Sequence, residues 1–190
     1  IFAKNHAKLI KIRTMSKKTD IIWLEEAKST NEYTRKHIDK LDNLSVVSAI
    51  NQTSGKGQGD HIWHSEPGMN LTCSILVRNP SIIPSDLRTI SDDVAQSVIK
   101  LLTQHGIDAW MKPPNDIWVG DKKICGLLIE HSIRGSRILW SIIGIGLNVN
   151  QTSFPDDLPN PTSMALEKEG ADIKELISEF MEIFTRLSWL

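Results

Sequence analysis

Four short apolar segments in the second half of the chain constrain the fold more than any other feature. Each has strand character, and together they cover residues 109–112, 117–119, 123–131 and 137–146. The pairs Gly120-Asp121 and Arg134-Gly135 separate neighbouring segments, and turns this short join antiparallel strands. The sequence therefore predicts an antiparallel sheet in this half of the chain.

In the rest of the chain, helical and extended patterns are grouped rather than strictly alternating. Apolar runs predict further strands at residues 21–25, 44–50 and 70–77. Polar capping residues and apolar residues at helical spacing predict helices at residues 32–41, 85–105 and 173–187. Ser29-Thr30-Asn31 offers capping oxygens before the first helix, and Gly106 offers a left-handed cap after the second. Such grouping favours an α+β fold, in which a mixed, mostly antiparallel sheet has helices on one face.

Charge and composition exclude several classes of function. The chain has 190 residues and a formal net charge of -1, without the basic excess typical of a nucleic-acid-binding face. No apolar run approaches the roughly 20 residues of a membrane span, and the two cysteines lack the spacing of a zinc site or a disulfide framework. We therefore expect one cytoplasmic domain that binds neither DNA nor a membrane. Residues 1–18 form a basic N-terminal arm, expected to be extended or disordered.

A glycine-rich loop at residues 52–63 has the composition of a phosphate-binding loop. Its centre is Gly55-Lys56-Gly57-Gln58-Gly59-Asp60, and this composition predicts no regular structure. The spacing matches neither a Walker loop nor the dinucleotide-binding G-x-G-x-x-G pattern. Taken alone, the loop is more typical of a flexible surface segment.

Three further segments carry chemically useful side chains near strand ends. Residues 112–116 place a lysine, an asparagine and an aspartate between two predicted strands. Residues 123–126 begin the next strand with a lysine and end on a glycine that permits close approach to the backbone, and residues 144–148 place two glycines before Asn148. Each segment has a simpler explanation as a turn, a solvated hairpin residue or a bulge, but all four features in one short chain favour a binding site.

These motifs resemble the biotin–protein ligases. The resemblance runs from Ser29 to Asn148 and includes Ser29-Thr30-Asn31, the loop at 52–63, and the segments 65–71, 112–116, 123–130 and 144–148. It implies a sheet related to class II aminoacyl-tRNA synthetases and a two-step reaction. ATP, with Mg²⁺, activates biotin to biotinyl-AMP, and a lysine of a biotin carboxyl carrier protein then displaces AMP.

The resemblance also assigns residues to roles. Lys123 is the expected catalytic residue at the carboxylate and the α-phosphate, where a cation offsets the repulsion between two anions. The residues expected to bind biotin are Ser29, Thr30, Asn31, Gln52, Gly55, Lys56, Gly57, Gln58, Lys123 and Gly126. Those expected to bind the nucleotide are Lys56, Trp63, Lys112, Asn115, Asp116 and Asn148. No metal ligand is assigned beyond a nucleotide or metal contact at Asn115, Asp116 and Asn148.

The sequence departs from the family pattern in its loop and at its ends. The family loop is commonly G-R-G-R-R-G, whereas this chain has no arginine there, and Pro113 stands where the family usually has tryptophan. We expect the catalytic domain at residues 19–190, without an N-terminal DNA-binding domain and with the small C-terminal β-domain absent or truncated. The oligomeric state is open, with a homodimer as one alternative.

Two other functions remain open at this point. A lipoate or octanoate ligase shares the fold and a catalytic lysine, although the motif spacing fits biotin ligases better. A non-catalytic binding module on the same fold is disfavoured by the three lysines Lys56, Lys112 and Lys123. His61 and His64 lack a third metal partner in the sequence, and Cys125 is interpreted as a small buried residue rather than a nucleophile.

Overall fold

The computed structural model describes residues 9–10 and 20–190, and it contains one eight-stranded sheet. The strands lie in the order β1-β2-β3-β4-β8-β7-β6-β5. Their bounds are β1 Leu9–Ile10, β2 Ile21–Ala27, β3 Val46–Gln52, β4 Leu71–Arg78, β5 Trp110–Lys112, β6 Asp116–Val119, β7 Lys122–Arg134 and β8 Arg137–Leu147. The helices are α1 Thr30–Lys36, α2 Leu87–Gln104, α3 Met164–Glu167 and α4 Ile173–Phe184.

The predicted mixed, mostly antiparallel sheet is confirmed. Strands β2 and β3 pair in parallel, because α1 and a short 3-10 helix at Ile38–Lys40 carry the chain back to the same end of the sheet. All other neighbours pair antiparallel, including the four consecutive strands β5 to β8. Gly120 and Gly135 have φ values of 56° and 59°, as the predicted tight turns require.

Helices lie on both faces of the sheet, which corrects the expectation of one helical face. The larger core packs α2 and α4 against alternate strand residues such as Ile75 and Ile143. The intervening residues, Leu76 and Ile142 among them, form a second cluster beside Tyr33 of α1. Both faces of the central strands are apolar, and each therefore needs a helix to cover it.

The first helix begins earlier than its sequence predicts. Ser29 occupies the N-cap but its side chain makes no capping hydrogen bond. Instead, Gln52 Oε1 accepts a hydrogen bond from the backbone N–H of Thr30 at 2.8 Å. This contact joins residues 22 positions apart and supplies the missing cap from the neighbouring strand. Thr30 and Asn31 are consequently helical residues rather than caps.

Two small elements, β1 and α3, are not predicted by the sequence patterns. Within the basic arm, Leu9–Ile10 pairs with β2 through Leu24 and Trp23, and the rest of residues 1–18 lies outside the described residues. Helix α3 has four residues and begins where Ser163 accepts a hydrogen bond from Leu166 N–H. Among the described residues no helix has the length and apolarity to cross a membrane.

Candidate functional site

A cavity of about 470 Å³ lies beside the start of β7 and the end of β8, under the glycine-rich loop. It brings together almost all of the residues that the sequence assigns to the site. Those lining the cavity are Ser29, Thr30, Asn31, Gln52, Lys56, Gly57, Gln58, Trp63, Lys112, Asn115, Asp116, Lys123, Gly126 and Asn148. Gly55 is the one predicted site residue outside this lining.

At one end of the cavity a buried hydrogen-bond network ties α1 to the sheet. Ser74 Oγ lies 2.7 Å from Thr30 Oγ1 and 2.6 Å from Asn31 Oδ1. The Asn31 amide nitrogen donates to Leu128 O and to Glu130 Oε2, at 3.0 Å each. The amide of Asn31 therefore makes its hydrogen bonds within the protein and holds this wall of the cavity in place. The nearby hydroxyl groups and Gln52 offer hydrogen-bonding atoms to a ligand.

The glycine-rich loop is a small hairpin, although its composition predicts no regular structure. Gly57 N–H donates to His61 O at 2.8 Å, and Trp63 N–H donates to Gly55 O at 3.0 Å. A β-bridge pairs Lys56 with Ile62 between them. The two glycines allow this close pairing, because a Cβ on Gly55 would lie 2.4 Å from Trp63 O. Gly55 therefore allows the two sides of the loop to pair closely, and it does not line the cavity.

The indole of Trp63 rests on a pair of glycines. Gly126 and Gly146 are directly opposite each other in β7 and β8. A Cβ on Gly146 would lie 2.4 Å from Trp63 Cε2, and one on Gly126 would lie 3.0 Å from Cζ3. The absence of both side chains therefore creates the seat of the indole ring. Trp63 Nε1 is buried and has no hydrogen-bond partner within the described part of the chain.

Three lysine side chains line the same cavity, and two of them are held in place. Lys123 Nζ forms an ion pair with Asp116 Oδ1 at 2.7 Å, in a partly buried setting. Lys112 Nζ lies 3.6 Å from the centroid of the Trp118 ring. Because anionic ligands are attracted to converging cations, this part of the cavity suits a phosphate chain or a carboxylate.

The backbone of Lys123 is held by the loop that follows β8. Lys123 N–H donates to Asn160 O at 2.7 Å, and Thr162 N–H donates to Lys123 O at 2.9 Å. These contacts order the loop at 154–162. The position of the expected catalytic lysine therefore depends on residues that follow the recognised motifs.

Two asparagines provide the remaining polar wall. Asn115 is held by two hydrogen bonds to the backbone of Leu127. Its side-chain Nδ2 donates to Leu127 O at 2.7 Å, and its backbone carbonyl oxygen accepts from Leu127 N–H at 2.8 Å. Asn148 Nδ2 donates to Thr162 O at 2.8 Å, and this contact fixes the orientation of the amide. Asn148 Oδ1 is buried and meets no donor among the described residues. It is therefore an oxygen available to a ligand amine, a hydroxyl group or a cation.

The donor set fits Mg²⁺ that arrives with a nucleotide better than a resident metal. Asp116 and Asn148 offer the carboxylate and amide oxygens that Mg²⁺ prefers. Within residues 9–10 and 20–190, no cluster of three histidine, cysteine or acidic side chains could hold a metal ion by itself. His61 and His64 both line the cavity but gain no third partner there.

Several lining residues were not assigned from the sequence. They come from strands and loops brought together only by folding: His61, Ile62, His64, Cys73, Trp118, Leu127, Leu128, Gly144, Ile145, Gly146, Phe154, Leu158, Pro159 and Pro161. A usable signal existed for Trp118, which lies two positions after Asp116 and thus on the same face of β6. The residues of the loop at 154–162 carry no sequence signal that would have assigned them to the site.

Burial of both cysteines argues against a nucleophilic role for either. Burial raises the pKa of the Cys73 thiol to about 12 and also raises that of Cys125, so both remain protonated near neutral pH. Both thiols are free and buried. The interpretation of Cys125 as a small buried residue is confirmed.

Comparison with known proteins identifies relatives of this arrangement. The model of the biotin/lipoate A/B protein ligase family matches residues 23–148. The bifunctional ligase/repressor BirA of Bacillus spizizenii is 34% identical over 132 residues, which cover 68% of this chain. The Bacillus subtilis protein of the same name is 33% identical over 132 residues and the same share of this chain. This chain spans 40% of the length of each of these two relatives.

A solved structure agrees with the sequence comparison. The biotin protein ligase from Aquifex aeolicus, in complex with biotin and ATP, superposes with a TM-score of 0.73 at 26% identity. The superposition covers 87% of this chain and 68% of the other. The matched family model spans the strands, the loop and the lysines that build the cavity. The chain therefore belongs to the biotin/lipoate A/B protein ligase family.

Proposed function

We propose that this protein activates biotin with ATP and transfers the biotinyl group to a lysine of a biotin carboxyl carrier protein. The observation that supports this most directly is one cavity in which a neutral hydrogen-bonding wall meets converging lysines. The neutral wall, with Thr30 and Gln52, suits the ureido ring of biotin. The lysines suit a carboxylate and a triphosphate. The Aquifex relative with biotin and ATP bound supports the same assignment.

In the first step, a carboxylate oxygen of biotin attacks the α-phosphorus of ATP. A new C–O–P linkage forms, the bond from the α-phosphorus to the bridging oxygen breaks, and pyrophosphate leaves with the electron pair. Lys123 stabilises the negative charge that builds on the phosphoryl oxygens, while Lys56 and Lys112 offset the repulsion between the two anions. Mg²⁺, when bound, shares the charge of the triphosphate, and Asp116 and Asn148 are the oxygen donors that suit it.

In the second step, the uncharged amine of the carrier lysine attacks the acyl carbon of biotinyl-AMP. An amide bond forms, the acyl–phosphate bond breaks, and AMP leaves as the amine loses its proton. The loop hairpin over the cavity limits the access of water, which would otherwise hydrolyse the mixed anhydride. The Asp116–Lys123 ion pair keeps the lysine oriented before the substrates bind.

Biotin-dependent exchange between pyrophosphate and ATP tests this function. We expect exchange with biotin and little or none with lipoate or octanoate, which separates the two branches of the family. Lys123→Ala should lower the exchange rate by about 100-fold or more, since a single donor to a developing oxyanion has effects of this size.

Lys122→Ala is the matched control, because it removes the neighbouring lysine, which is half exposed and pairs with Glu167 instead. It should retain exchange. A folded wild-type protein that shows no exchange with biotin would contradict the proposed function. Exchange with lipoate alone would favour the lipoate ligase, and nucleotide binding without any exchange would favour the binding module.

A further inference from the structure

Four side chains share one face of β5 and β6, and three of them line the cavity. Lys112 pairs with Asp116 in register, and Trp110 pairs with Trp118. Because side chains alternate between faces, these four residues share one face, while the buried Ile117 lies on the other. Lys112 and Trp118 are therefore diagonal cross-strand neighbours, close enough for a long side chain to cover a ring.

The ammonium of Lys112 differs from that of Lys123 in its partner. Lys123 is paired with a carboxylate at 2.7 Å, which offsets its charge until substrates bind. Lys112 lies 3.6 Å from the centre of an indole ring, and no carboxylate among residues 20–190 is within ion-pairing distance of it. A ring face attracts a cation without carrying a neutralising charge. Lys112 is thus held in place with its full charge available to an anion.

The Trp118 ring is itself held by packing rather than by a hydrogen bond. Its Nε1 is buried and meets no acceptor in the described part of the chain. Trp110 packs beside it with ring centroids 6.4 Å apart, and Trp110 Nε1 donates to Gly120 O at 3.0 Å. Trp110 is thereby anchored to the turn between β6 and β7 and packs against Trp118.

We propose that Trp118 is a positioning residue that holds the Lys112 ammonium at the cavity wall for the polyphosphate of ATP. The proposal rests on the proposed function for its substrate. A free lysine side chain loses rotational freedom when it meets an anion, and a lysine already held on a ring loses less. Trp118 therefore strengthens the binding of ATP without touching the reacting atoms.

One test measures the position of Lys112 without any catalysis. The protein is reductively methylated with ¹³C-formaldehyde, and its dimethyl-lysine signals are recorded by NMR. The ring current of Trp118 should shift the Lys112 signal further upfield than the signals of Lys123 and Lys174, whose ammonium groups lie 5.7 and 5.8 Å from tryptophan rings. The most shifted signal should vanish in Lys112→Arg. It should return to the common position in Trp118→Leu and remain shifted in Trp118→Phe, which keeps an aromatic face.

A second test measures the consequence for ATP. Trp118→Leu should raise both the Kd and the KM for ATP by about two- to fivefold, the range expected for a cation–π contact at an exposed site, with little change in kcat. Trp118→Phe should recover most of the affinity. In a Lys112→Met background, Trp118→Leu should have no further effect, because the residue acts through the lysine. Lys100→Met, an exposed lysine of α2, is the control for charge loss.

Two results would overturn the positioning role. One is a Lys112 signal that is unshifted in the wild type. The other is a Trp118→Leu effect on ATP affinity that is equally large with and without Lys112. A wild-type protein that binds ATP but shows no biotin-dependent exchange would overturn the proposed function alone, since the lysine signal and the Kd do not require catalysis.

Discussion

Single residues shape this site as much by the atoms they lack as by those they carry. Gly126 and Gly146 leave the space that the Trp63 indole fills, and Gly144 leaves room for Asn31, whose Oδ1 would lie 2.4 Å from a Cβ there. The glycines of β7 and β8 are thus explained by close approaches to two predicted site residues. The alternative of a simple bulge does not account for these contacts.

Gly146→Ala should displace the Trp63 ring, because the added Cβ would lie 2.4 Å from it. We expect a loss of about 1–3 kcal/mol in the free energy of unfolding, as overpacking of a close-packed region costs, and a lower rate of biotin-dependent exchange. Urea unfolding and the exchange assay measure the two effects. Adding Gly146→Ala to Trp63→Ala should cost far less stability than adding it to the wild type. An equal cost in both backgrounds would contradict the proposed clash.

The residues of the site could be found from sequence where they form contiguous motifs. Ser29-Thr30-Asn31, the loop and the 112–116 segment each occupy neighbouring positions, and all reach the cavity. Their individual roles were less accessible, because the engagement of Asn31 depends on Leu128 and Glu130, almost 100 positions away. Trp118 was missed although it lies two positions after Asp116 in β6, because its contact with Lys112 crosses to β5.

At the scale of elements, the strands β5 to β8 and the helices α1, α2 and α4 were all predicted to begin within two residues of their observed starts. The strands β5 to β8 follow from apolar runs and tight turns, and their predicted bounds differ by at most three residues from those observed. The start of α1 depends on Gln52 in β3, so local capping rules could not locate it. Whether a helix lies on one face or the other also depends on packing across several strands.

The shape of the loop hairpin depends on backbone hydrogen bonds, whereas its charge depends on its side chains. Its backbone pairing is independent of side-chain identity at Gln58, which lies near the tip and lines the cavity. Because Gln58 hydrogen-bonds without charge, we expect the loop to hold biotinyl-AMP less tightly than an arginine would. Gln58→Arg should therefore slow the dissociation of biotinyl-AMP from the protein.

Stopped-flow or filter-binding rates for the wild type and Gln58→Arg measure this effect. Gln58→Asn, which also lacks charge, serves as the control and should not slow the release. The rate should fall more steeply at low ionic strength in the arginine variant than in the wild type, since the gain is electrostatic. An unchanged dissociation rate in Gln58→Arg would contradict the hypothesis.

The whole molecule keeps both thiols in its larger core, and this gives its stability a dependence on pH. Burial raises the pKa of Cys73 to about 12 and raises that of Cys125, whereas thiols in an unfolded chain titrate near 8.5 as a rough reference. Above that value the unfolded chain binds fewer protons than the native one. Stability should therefore fall as the pH rises, by up to about 1.4 kcal/mol per pH unit for each thiol.

Urea unfolding between roughly pH 8 and pH 10.5 measures this dependence, a window that starts near the reference pKa of an unfolded thiol. The double variant Cys73→Ala/Cys125→Ala removes both thiols and should show a shallower decline, even though its stability at neutral pH is lower because of lost packing. The comparison of slopes isolates the thiols from tyrosine and lysine groups that titrate in the same range. Equal slopes in the two proteins would contradict the prediction.

The contacts between Lys123 and the loop that follows β8 have a consequence for how this fold can diverge. The loop holds the lysine through main-chain atoms of Asn160 and Thr162, and it lies beyond residue 148, where the family match ends. Main-chain hydrogen bonds impose few demands on side-chain identity. Substitutions can therefore accumulate in such a segment while it continues to hold a lysine of the cavity. The segment then keeps its backbone conformation and its role without keeping a recognisable sequence motif.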